Sequence, residues 1–158
     1  MNKPALILAS KSRARQDMLR QAGLEFECIP ANINEREIEH ELSDSLPEDI
    51  AKQLARAKAL DVSKNNLEAL VIGSDQLLKF EGQLLHKASS EEEARQKLMN
   101  LRGKTHQLIS SVAVVKGHVV LWETIDSADL TMHDFDAEFL QDYIAKAGDD
   151  LTSCVGAY

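Results

Sequence analysis

The chain has 158 residues, 44% hydrophobic and 28% charged, which suits a soluble globular domain with its own core. Its formal net charge of −8 argues against a broad surface for nucleic-acid polymers or anionic membranes, since both need clustered Lys and Arg. No apolar run reaches membrane-spanning length, the run 5–9 is too short for a secretory signal, and Cys28 and Cys154 lack any metal-ligand spacing. The expectation is a cytoplasmic protein with two buried free thiols.

Ala5-Leu6-Ile7-Leu8-Ala9 has no helical period and reads as a buried strand. Ser10-Lys11-Ser12-Arg13-Ala14-Arg15 follows at once. Ser12 is a good N-cap for a helix from Arg13 to about Ala22, with Met18, Leu19 and Ala22 on one face and Gly23 as its stop. Free backbone N–H groups with Ser10, Ser12, Arg13 and Arg15 could bind phosphate. The same residues also read as a capped helix start with solvated arginines.

Phe26 to Pro30 alternates as a second strand. Ala31 to Ser45 is polar and acidic and reads as a loop, with room for a helical turn. Glu35 within it either faces a site or is solvated. Pro47 to Ser63 is the clearest helix, with Ser45 as its cap, Pro47 in the first turn, and Ile50, Leu54, Ala57 or Lys58, and Val62 on the inner stripe. Lys58 lies on or beside that stripe. It either snorkels to water or aims its ammonium at a phosphate.

Ala69 to Ser74 is an apolar strand ending at Asp75 and Gln76, and 76–80 continues it. Glu81-Gly82 turns a hairpin whose return arm brings Lys87 back toward that strand. Ser89 to Glu93 reads as a capping box for a helix ending near Leu101, with Gly103 beyond. Residues 105–115 and 118–131 form a long hairpin, with Trp122 expected in core or rim packing. Phe135 to Ala147 is a final amphipathic helix with Phe139, Leu140, Tyr143 and Ile144 inward, and 149–158 reads as loop. The order gives an α/β fold with a mixed, mostly twisted sheet flanked by helices, in a single domain over 1–158.

The five histidines show no zinc spacing, and there is no G-x-S-x-G, Walker or G-x-G-x-x-G motif. What remains is two carboxylates, Glu35 and Asp75, and four cations, Arg13, Arg15, Lys58 and Lys87. Carboxylates for a hard cation, with Arg and Lys for phosphates, are equipment for nucleotide hydrolysis.

The motifs resemble those of the Maf family of nucleotide pyrophosphatases, along the whole chain. Leu8 to Arg15 is similar to its L-A-S-x-S-P-R-R. Ile33-Asn34-Glu35 fits its D-E step, Leu54 to Ala59 its L-A-x-x-K-A helix, and Gly73-Ser74-Asp75-Gln76 its G-[AS]-D-[TQ]. His86-Lys87-Ala88 stands at its G-K-P and Arg102 to His106 at its S-G-x-x-H. The resemblance implies a Maf/ITPase-like fold and cleavage of a nucleoside triphosphate between its α and β phosphates. Asp75 is then the catalytic carboxylate. Asp75 and Glu35 hold Mg²⁺ or Mn²⁺, and Ser10, Ser12, Arg13, Arg15, Lys58, Gln76 and Lys87 bind substrate. The Ser74-Asp75-Gln76 form resembles the subgroup that prefers 7-methyl-GTP over dTTP and UTP. A homodimer is also implied, and the alternative role is that of a weakly catalytic nucleotide binder in cell-division and septum control. Three departures stand out: Arg13 and Ala14 replace Pro and Arg, His86 and Ala88 replace Gly and Pro, and the family's segment beyond Tyr158, with its Glu or Gln, is lacking.

Overall fold

The computed structural model describes residues 4–158. Among the described residues six strands form one mixed sheet in the order β2 (Glu27–Cys28), β1 (Leu6–Leu8), β3 (Leu70–Phe80), β5 (Thr105–Lys116), β6 (Val119–Thr131), with β4 (Gln83–Leu85) paired to β3. The α/β class expected from the sequence is therefore observed. The chain divides into two compact units, residues 1–75 with 110–126, and residues 76–109 with 127–158. Among the described residues no helix is long and apolar enough to cross a membrane.

In the first unit β1 (Leu6–Leu8) runs parallel to β2 (Glu27–Cys28) and to β3 (Leu70–Phe80), with Ile7 opposite Val71 and Leu8 opposite Ile72. Such a strand is covered on both faces, which is why 5–9 is apolar without alternation. The helix α3 (Pro47–Ser63) covers this part of the sheet. It buries Ile50, Ala51, Leu54, Ala55, Lys58, Ala59 and Val62, a stripe at three- and four-residue steps. Ala59 and Val62 pack with Ile7, Ala9, Val71 and Val115. Each large aliphatic side chain so buried contributes roughly 1.5–3 kcal/mol.

Helix α1 (Arg13–Gln21) has its expected Ser12 cap, and no residue of it is fully buried, Met18 being 61% exposed. Three expectations in this unit are corrected. Ala31 to Ser45 contains a true helix, α2 (Glu35–Glu41), because the Asn34 side chain accepts from the Glu37 N–H as an N-cap. Helix α3 begins after Leu46, without a side-chain cap, because Pro47 supplies the helical φ at its first position. Cys28, expected buried, is exposed on the sheet's outermost strand.

In the second unit β4 (Gln83–Leu85) pairs antiparallel to β3, Phe80 opposite Gln83. Glu81 and Gly82 both have positive φ, 49° and 83°, as a tight two-residue hairpin turn demands. Helix α4 (Glu91–Leu101) is capped by Ser90, which accepts from the Glu93 N–H. Glu93 reaches back one residue farther than a standard capping box, to the N–H and hydroxyl of Ser89. Buried Lys97 of α4 donates to the carbonyls of His86 and Val155, tying two loop segments to one helix. Helix α5 (Ala137–Ala147) buries Leu140 and Ile144 against Ala94, Leu98 and Leu151.

Phe139, expected inward, is 57% exposed and stacks on Phe135, which precedes the helix. Residues 149–158, expected as loop, contain the short helix α6 (Asp150–Ser153). The hairpin arms are β5 (Thr105–Lys116) and β6 (Val119–Thr131), joined at Gly117 with φ 58°. Trp122 on β6 is 53% exposed, so it is not core, because β6 ends the sheet and lacks a neighbour on one side.

Candidate active site

Strand β3 alternates in burial through Val71, Gly73 and Asp75, which share the side covered by α3. A Cβ on Gly73 would stand 2.1 Å from the Ala55 carbonyl oxygen and 2.7 Å from the Ala59 nitrogen. Only glycine lets the helix backbone lie this close to the strand. The close approach sets Lys58, one residue before Ala59, over Asp75, two residues after Gly73.

The Lys58 ammonium lies 2.5 Å from Asp75 Oδ1 and 3.1 Å from Glu35 Oε1. The Lys58 and Asp75 side chains are 10% and 7% exposed, and Glu35 is 51% exposed. A buried carboxylate and a buried ammonium thus satisfy each other, with a second carboxylate reaching the same atom from the rim. Breaking such a buried pair by removing one partner costs about 3–5 kcal/mol. The snorkelling alternative for Lys58 does not hold, since its ammonium ends inside.

Glu35 is positioned by its own segment. The Asn32 N–H donates to Asp61 Oδ2 at 2.8 Å, which fastens the chain before α2 to the helix that carries Lys58. The Asp61 carboxyl is held below its ordinary value, chiefly by its bond from Lys64, and further by the Asn32 N–H and the Lys64 charge. Asp61 and Gly73 are the positioning residues that sequence reasoning overlooked. Gly73 was present in the quoted motif, but its closeness to α3 had no sequence signal beyond the missing side chain.

The helix start contributes from the end of β1. Buried Ser10 accepts at its hydroxyl from Arg15 Nη1 at 3.3 Å and from the Ser12 N–H at 3.2 Å. The Ser12 hydroxyl caps α1 by accepting from the Arg15 N–H. Burial pulls the Arg15 guanidinium down from its ordinary pKa, while the charges of Asp75 and Glu35 push it up. Arg15 therefore lies within electrostatic reach of both carboxylates. Arg13, by contrast, is exposed.

The structure thus brings Ser10, Arg15, Glu35, Lys58 and Asp75 together in the first unit. Gln76 and Lys87 belong to the second. Gln76 is exposed on β3, and Lys87 is exposed two residues after β4 ends. In the same unit His106 is buried, with Nε2 2.5 Å from the Tyr158 hydroxyl and the rings edge to face. Its Nδ1 is buried without a partner among the described residues.

A family profile described as Maf: Maf-like protein matches residues 5–158. The chain belongs to the Maf family. Among curated relatives, this Maf-family chain is 46% identical over 155 residues to a 7-methyl-GTP pyrophosphatase of Brucella abortus biovar 1 (strain 9-941), covering 97% of this chain and 78% of that protein. It is 43% identical over 155 residues to a 7-methyl-GTP pyrophosphatase of Mesorhizobium japonicum, with the same coverage. Among solved structures it is similar to a HAM1 protein from Coxiella burnetii, at 13% identity and TM-score 0.47, over 96% of this chain and 92% of that one.

Four of the six Maf motifs reach the first unit, at the start of α1, the start of α2, on α3 and on β3, while residues 86–88 and 102–106 belong to the second. In the first unit one motif ends in a hydroxyl and a guanidinium, one carries an ammonium, and two carry a carboxylate. That arrangement can bind an anionic group on one side and a cation on the other.

Proposed function

We propose that this Maf-family chain is a nucleoside triphosphate pyrophosphatase that acts on 7-methyl-GTP and cuts between the α and β phosphates. The observation that carries the reading is the buried Asp75 carboxylate, meeting Glu35 at one cationic atom with Arg15 and Ser10 in the same unit. The substrate assignment draws on the names of the relatives and on Ser74-Asp75-Gln76.

A divalent cation, Mg²⁺ or Mn²⁺, fits the donor set. Among the described residues no group of three or more His, Cys, Asp or Glu could hold a metal. Two carboxylates do converge on one point, however, and Mg²⁺ is commonly held by one or two carboxylates together with substrate phosphates. Asp75 and Glu35 would hold the ion, which when bound neutralises charge building on the phosphate oxygens.

The chain's own groups do the rest. Arg15, Ser10 and Lys58 bind and orient the phosphates, which is where most of the catalytic advantage in phosphoryl transfer arises. The Ser12 cap keeps the α1 start in place, and Arg13 adds positive charge at its exposed edge. Lys87 takes phosphate and Gln76 reads the base edge or orients the water, on the strength of their motif positions. A water oxygen bonds to the α-phosphorus as the bond to the α–β bridging oxygen breaks. Pyrophosphate leaves with that electron pair, and Asp75 takes the water's proton.

The test is a panel of 7-methyl-GTP, dTTP, UTP and ITP with Mg²⁺ or Mn²⁺, with pyrophosphate and orthophosphate read separately. Pyrophosphate and the monophosphate are expected, fastest from 7-methyl-GTP. Asp75→Asn is expected to lower kcat about 10²–10⁴-fold, the usual worth of a positioned proton acceptor. Orthophosphate as first product, or an unchanged rate in the variant, rejects the reading.

A further inference from the structure

Lys58 Nζ occupies the point at which Asp75 Oδ1 and Glu35 Oε1 converge, 2.5 Å from one and 3.1 Å from the other. That is the point a shared divalent ion would need. Mg²⁺ sits about 2.0–2.1 Å from its oxygens, and two positive centres that close to one oxygen repel strongly. The ammonium and the ion are therefore alternatives.

Displacing the ammonium alone is costly, because Lys58 is buried and needs another anion. The flexible four-carbon stem of lysine lets the charge move to a new partner without moving the helix. Arg15, half-buried and bonded to Ser10, marks where a phosphate can supply that partner.

We propose that Lys58 is the resident cation of the Asp75–Glu35 pair and yields it to a divalent ion only when phosphate takes the ammonium. This rests on the proposed phosphate and metal roles of the site. Its consequence is thermodynamic. Ion and phosphate bind with positive coupling, and each raises the affinity of the other by the same factor. The free protein binds the ion weakly.

The test measures Mn²⁺ binding to the full chain by electron paramagnetic resonance, without nucleotide, with and without inorganic phosphate. The wild type is expected to bind Mn²⁺ weakly and to gain affinity with phosphate. Lys58→Met is expected to bind Mn²⁺ about tenfold or more tightly than wild type, within the ordinary range of coupling between sites, and to lose most of the phosphate effect. Equal or weaker Mn²⁺ binding in Lys58→Met, or the same phosphate effect in both proteins, overturns the proposal. Should Lys58→Met fold poorly by circular dichroism, the ¹⁵N signal of Lys58 Nζ in the wild type decides. It should move with Mg²⁺ plus phosphate and stay with Mg²⁺ alone, and movement with Mg²⁺ alone overturns the proposal. If hydrolysis depends on Mn²⁺ and Asp75 while these results fail, the exchange is wrong and the proposed function stands. If Mn²⁺ has no effect on hydrolysis, the metal reading falls with it.

Discussion

Asp75 and Lys58 show what a single residue discloses in sequence and what it conceals. A carboxylate after an apolar run and a lysine beside a helical stripe could be picked out by chemistry and period alone. Their pairing could not, because it depends on which helix turn lies over which strand residue. Cys28 shows the reverse: an ordinarily buried residue type stands exposed because its strand is the outermost one. His106 carries a prediction at this scale. Burial holds its imidazolium below its ordinary pKa, so the unfolded chain binds a proton there before the folded one does. Stability from this group is then full above about pH 6.5 and is lost as the pH falls from there toward the folded value. Denaturant titrations at pH 7.5 and 5.5 should show a loss of stability in the wild type that is smaller in His106→Phe, and an equal loss in both would reject the assignment.

At the scale of elements, α3 and β3 were legible because their patterns are long. Seventeen residues of helical period and eleven of strand leave little room for another reading. Helix α2 was hidden in an acidic stretch that buries nothing, so no apolar period marked it, and only Asn34 hinted at its start. Helix α6 is one turn long and too short for any period to show. The contact between α3 and β3 at Gly73 predicts the outcome of adding one methyl group. Gly73→Ala forces the helix backbone away from the strand, an overpacking that costs about 1–3 kcal/mol. The same displacement lengthens the Lys58–Asp75 contact, so kcat should fall by more than the loss of folded protein explains. A variant with unchanged melting temperature and rate would show that the helix has room to shift.

For the whole molecule, the order of the strands and of the longer helices α1, α3, α4 and α5 was readable, since each of them carries its own punctuation. The division into two units was not. β3, β5 and β6 run through both, and nothing in their sequences marks where one ends. The net charge of −8 and the local cluster of Arg15 and Lys58 coexist because the cations are matched within the site by Glu35 and Asp75. The position of Trp122 bears on how the unfolding of this molecule can be watched. It is the single tryptophan, and 53% of its surface already meets water in the native state. Its emission should lie well toward the red before any denaturant is added, and a soluble quencher such as acrylamide should reach it at once. A fluorescence melt would then show a shallow signal governed by the solvent around one outer strand, whereas circular dichroism would register the loss of the helices.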